Sequence, residues 1–130
     1  MRRPIALPLK FYVLLLKDLK WPMRILFDNG TPEGLLRHLT GHVVTLARDA
    51  GWERLANGKL LNVAEQDGFD LLLTTDKNIL YQQNLRGRKI AIVVLGNQNW
   101  NVARLHVDKI VAAVNACTPG SYTEVAIPFR

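Results

Sequence analysis

Phe69-Asp70-Leu71-Leu72-Leu73-Thr74-Thr75-Asp76 is the stretch whose reading decides the fold. Its centre is apolar at consecutive positions rather than alternate ones. That pattern suits a strand buried on both faces, and so a parallel sheet covered by helices. Two further runs read the same way: Met23-Arg24-Ile25-Leu26-Phe27, closed by Asp28, and Ile90-Ala91-Ile92-Val93-Val94-Leu95. Asp28 and Asp76 thus stand where buried strands run out, and open parallel sheets keep their sites at that end.

The segments between these runs carry helical punctuation. Thr31 is expected to cap a helix, with Pro32 at its first position, Glu33 in its first turn, Leu35, Leu36 and Leu39 on its apolar face, and Gly41 as its stop. Residues 42–47 predict a second strand, and a polar loop holding Trp52 and Leu55 follows it. Asn57 is expected to cap a helix with Leu60, Leu61 and Ala64 at helical spacing and Gly68 just past its end. Residues 78–85 read as a short helix. Residues 102–116 read as the longest one, striped by Ala103, Val107, Ile110, Val111 and Val114. Residues 121–127 alternate and suit a final edge strand. The order β-α-β-α-β-α-β-α-β predicts a three-layer α/β domain around a central, mostly parallel sheet of four or five strands.

A chain of 130 residues that is 48% hydrophobic can bury one core and is not mainly disordered. Cys117 is the only cysteine, which excludes an intrachain disulfide and a cysteine metal cluster and fits a cytoplasmic protein. The net charge of +6 is uneven: residues 1–22 hold Arg2, Arg3, Lys10, Lys17 and Lys20 against Asp18 alone, so the rest of the chain is close to neutral. Residues 1–22 are read as a basic and apolar extension, upstream of a start at Met23, and residues 23–130 as one domain. The apolar run from Phe11 to Leu16 is too short to span a bilayer, and no small-x-small cleavage site follows it. No membrane association is expected.

Two carboxylates converging at a sheet edge raise divalent-metal phosphate chemistry. Mg²⁺ or Mn²⁺ needs only one or two protein carboxylates when water and substrate phosphate complete its shell. Asp28 and Asp76 are the candidate metal and catalytic residues, and Glu65 is a candidate third acid. The alternative is that both aspartates only cap the turns that follow them. Asn29, Asn57, Asn97 and Asn99 are candidates to meet substrate. Tyr81 could stack on a base, and Arg86, Arg88 and Lys89 could track a nucleic-acid backbone. His38, His42 and His106 show no spacing with carboxylates that suits a metal. The chain has no glycine-rich phosphate loop and no nucleophile elbow.

Residues 23–100 resemble the small bacterial PIN-like domains, a largely uncharacterised branch of the PIN nuclease superfamily. The resemblance is carried by Arg24-Ile25-Leu26-Phe27-Asp28-Asn29, by Gly51-Trp52 with Asn57-Gly58 and Leu60-Leu61, and by Ala64 with Gly68-Phe69-Asp70. It continues in Leu73-Thr74-Thr75-Asp76-Lys77-Asn78, Tyr81-Gln82-Gln83-Asn84-Leu85 and Ile92-Val93-Val94-Leu95. It implies a metal-dependent ribonuclease acting on single-stranded RNA, often the toxin of a toxin–antitoxin pair, with Asp28 and Asp76 in the carboxylate cluster. It also implies a homodimer, for which Trp52, Leu55, Trp100 and the apolar N-terminal head are the candidate contacts, and an antitoxin-like protein partner. Where family members often carry further acids, this chain has Asn57, Lys59 and the Gly96-Asn97-Gln98-Asn99 loop. This depletion keeps a second reading open: a PIN-like binding or regulatory module with weak or no catalysis.

Overall fold

Parallel neighbours in a sheet must be joined by crossovers, and this chain places one between every two consecutive strands. In the computed structural model, which describes residues 22–82 and 84–128, the strands are β1 (Arg24–Phe27), β2 (Val43–Leu46), β3 (Leu71–Thr74), β4 (Ala91–Leu95) and β5 (Tyr122–Val125). They form one sheet in the order β2-β1-β3-β4-β5, with every neighbouring pair parallel. This is one of the common doubly wound orders, and its direction of winding reverses between β1 and β3. The N-terminal extension falls outside the described residues apart from Pro22.

Side chains alternate across a strand, so each strand feeds two clusters. Ile25, Phe27, Leu71, Leu73, Ala91, Val93 and Leu95 join one cluster, while Leu26, Leu72, Ile92 and Val94 join the other. Helix α1 (Asn57–Gln66) covers the second cluster with Leu60, Leu61 and Ala64, joined by Ile79 of α2 (Ile79–Gln82). The first cluster is covered by Ala103 of α3 (Trp100–Ala103), by Ile110 and Val114 of α4 (Val107–Ala116), and by Leu35 and Leu39. Consecutive apolar residues were therefore needed because both faces of the central strands are covered.

Local structure departs from the sequence reading in three places. The segment after Thr31 is a 3₁₀ helix over Glu33–His38, with Pro32 at the cap position and no side-chain cap. Thr31 instead donates its hydroxyl to the Leu73 carbonyl at 3.0 Å, across the sheet. Asn57 is the first residue of α1 rather than its cap, and the cap position falls to Ala56. The long helix expected over 102–116 is broken by a 3₁₀ turn at Arg104–His106 into α3 and α4. Trp100, at the start of α3, packs over Gly34, where any Cβ would collide with the indole. Trp100, Trp52 and Leu55 are all half-buried against the two clusters, so their apolar surface is largely used within the domain. His42 accepts from the Met23 N–H at Nδ1 and faces Asn115 Oδ1 with Nε2, a strut rather than a free base. Among the described residues no helix is long and apolar enough to cross a membrane.

The core should report this arrangement. Leu72→Ala, at a fully buried position of the central strand, is expected to cost about 2–5 kcal/mol in denaturant unfolding. Val43→Ala on the edge strand β2, where the side chain is 58% exposed, is expected to cost under about 1 kcal/mol.

Candidate active site

Asp28 is the first residue beyond β1, and its N–H still donates to the Leu73 carbonyl at 3.0 Å, as a further rung of the β1–β3 ladder. Its backbone is therefore fixed by the sheet. Its side chain is fixed as well: Oδ1 accepts from the Asn29 N–H at 2.8 Å and Oδ2 accepts from the Thr74 hydroxyl at 2.8 Å. Thr74 is the last residue of β3 and wholly buried. The same hydroxyl oxygen accepts from the Asp76 N–H at 3.1 Å. One threonine thus links the Asp28 carboxylate to the Asp76 main chain, at the point where winding reverses.

Asp76 is held from two sides. Its Oδ1 accepts from the Asn78 N–H at 2.9 Å, and its Oδ2 accepts from the Asn57 amide at the start of α1. Asn57, expected to touch substrate, instead orients an aspartate. Gly30 closes the turn after Asp28 at φ +84, a conformation that favours glycine. A Cβ placed there would lie 3.2 Å from Gln98 Oε1 and 3.4 Å from Thr75 Oγ1. Gln98, from the loop after β4, therefore reaches the same cleft. No local sequence signal marked it, since it sits in a loop among three asparagines.

Those asparagines are engaged with main chain. Asn97 donates to the Pro128 carbonyl at 3.2 Å and accepts from the Asn99 N–H at 2.9 Å. Asn99 caps α3 by accepting from the Asn101 N–H at 3.0 Å. Asn29 donates its amide to the Glu53 carbonyl and so ties the loop after β2 to the site. The side chain of Tyr81 lies outside the described residues.

Glu65 and the basic turn lie at the opposite edge. Glu65 Oε1 accepts from the N–H groups of Lys89 and Ile90, at 3.0 and 3.2 Å, just ahead of β4. Arg88 lies 3.6 Å from Glu65 Oε2 and donates to Asn62 at 3.0 Å. Glu65 is therefore not a third acid beside Asp28 and Asp76, and Arg86, Arg88 and Lys89 do not face that pair. The reason is topological: in an all-parallel sheet a segment that leads into a strand lies at the amino edge. Among the described residues no group of three or more His, Cys, Asp or Glu is arranged to hold a metal ion. Cys117 is also remote from the aspartates. Its buried sulfur lies 3.6 Å from that of Met23, and burial, reinforced by the charge of Asp70, pushes its thiol pKa up. It is an inert core thiol.

Comparison with known protein families, curated proteins and solved structures finds no match for this chain.

Thr74→Val keeps the shape of the side chain and deletes the shared hydroxyl. It is expected to leave the fold intact at a cost of about 1–3 kcal/mol and, if the aspartate pair takes a divalent cation, to weaken Mn²⁺ binding about 10–100-fold, measured by calorimetric titration. Unchanged Mn²⁺ affinity would show that the bridge does not set the site.

Proposed function

We propose that this chain is a PIN-like, divalent-metal-dependent ribonuclease whose metal residues are Asp28 and Asp76. The observation that carries this reading is the pinning of both aspartates on Thr74 at the β1–β3 reversal, where doubly wound sheets bind ligands. The donor set suits Mg²⁺ or Mn²⁺. It offers only oxygen, and each carboxylate oxygen that accepts one hydrogen bond keeps a lone pair for a cation. Two carboxylates match what Mg²⁺ takes from a protein when water and phosphate supply the rest. Bound there, the ion would neutralise phosphate charge and lower the pKa of an attacking water.

The remaining residues orient and position. Thr74 and Asn57 hold the two carboxylates by hydrogen bonds, the outer-shell support on which metal sites depend. Gln98 brings a side-chain amide to the cleft beside Gly30, where it can meet a phosphate oxygen or a water. The shift of acids to Asn57 and Lys59 predicts slow turnover.

A second reading has its own observation. Every oxygen of both carboxylates already accepts a hydrogen bond from this chain, as in an aspartate pair that only shapes loops. In that case the domain is a binding or regulatory module.

Titration of Mn²⁺ into the wild type and into Asp28→Asn/Asp76→Asn separates the two. The nuclease reading expects saturable binding by the wild type, none by a folded double variant, and cleavage of single-stranded RNA that stops with chelator. An equal metal response from both proteins rejects the site. Binding without cleavage selects the regulatory module.

A further inference from the structure

The aspartate pair lies between two cavities at the carboxyl edge of the sheet. One, of about 290 Å³ beside β1 and β2, is lined by Asp28, Gly30, Glu33 and Arg48 among others. The other, of about 770 Å³ along the ends of β4 and β5, is lined by Lys77, Asn78, Lys109 and the apolar Val94, Ile127 and Pro128. Asp28 lines the first, and Asn78, whose N–H holds Asp76, lines the second. Arg48 lines the first cavity beside Asp28 and Glu33, and Lys77 and Lys109 line the second beside Glu124.

We infer that a single-stranded polynucleotide crosses the carboxyl edge of the sheet, held by Arg48 on the β2 side and by Lys77 and Lys109 on the β5 side, with the phosphate between them at Asp28 and Asp76. The inference rests on the ribonuclease reading and gives its substrate a path. A chain of several nucleotides can reach the cations of both cavities, which a mononucleotide in one of them does not. Arg48 suits the task because a guanidinium matches phosphate in a bidentate way. Its partners are Glu33 and, at 3.9 Å, Asp49. The Arg48 side chain is 59% exposed, so this is the weakly held kind of surface pair that a phosphate can displace. The apolar lining on the other side offers surface to a splayed base, which a duplex cannot present. Glu124, the acid of that cavity, accepts from the Tyr122 hydroxyl at 3.0 Å.

The test is binding of fluorescent single-stranded RNA of roughly eight nucleotides, and of a dinucleotide, to the cleavage-deficient Asp28→Asn/Asp76→Asn protein across a salt series. Arg48→Ala and Lys109→Ala, both at exposed positions, are each expected to weaken the longer RNA severalfold and to reduce the salt slope of log K by about 0.7. Arg86→Ala, at the far edge, is expected to change neither. The dinucleotide should respond to at most one of the two site variants. The inference is overturned if Arg86→Ala weakens binding as much as they do, if neither site variant has an effect, or if the parent binds no RNA at low salt. Wild-type cleavage is scored separately: its absence, with the Arg48 and Lys109 dependence intact, removes the nuclease reading and leaves the path standing.

Discussion

A hydroxyl with no access to water must find its hydrogen bonds inside the protein. Thr74 is wholly buried at the end of β3, and its oxygen donates to the Asp28 carboxylate and accepts from the Asp76 N–H. This works because β1 pairs with β3, with Phe27 opposite Leu73. That pairing brings residues 46 and 48 positions apart in sequence to one point. The Thr31 hydroxyl, donating to the Leu73 carbonyl, adds a second link across the same seam. Site and core are therefore one structure: the strands that bury Leu26 and Leu72 also set the positions of the aspartates.

The two edges of the sheet have separate work. The amino edge is stitched by charge and hydrogen bonding. Arg24 pairs with Asp67 and lies over the Phe69 ring at 4.4 Å, Asp70 accepts from the Arg24 N–H, and Glu65 holds the start of β4 with Arg88 behind it. These contacts serve the fold. The carboxyl edge carries two aspartates, two cavities and loops tied down by asparagines, and it is where the proposed chemistry would take place. A charged cluster in sequence is thus a poor guide to function until its edge is known.

The same distinction explains what could be read from the sequence. The strands were legible because Leu71, Leu72 and Leu73, and the residues from Ile90 to Leu95, are apolar without interruption, a pattern forced by burial on both faces. Asp28 and Asp76 were legible because they end such runs. The bridge itself was not, because the bonds from Thr74 and Thr31 span the sheet and leave no local trace. Nor was the role of Asn57, which prefers an aspartate in space to the helix cap beside it. Gln98 was hidden because a loop of amides gives no reason to choose one of them. The basic turn could have been assigned correctly: it leads into β4, and in a parallel sheet that alone puts it at the amino edge.

The claim at the centre of this account is that a divalent cation binds at the carboxyl edge, between β1 and β3. Paramagnetic broadening by Mn²⁺ in amide-resolved NMR spectra tests it directly. At low Mn²⁺, the account expects the signals of residues 28–31, 57 and 74–78 to vanish first, while those of Glu65 and residues 86–90 persist. Early loss around Glu65 and Lys89, or uniform broadening across the domain, would contradict it.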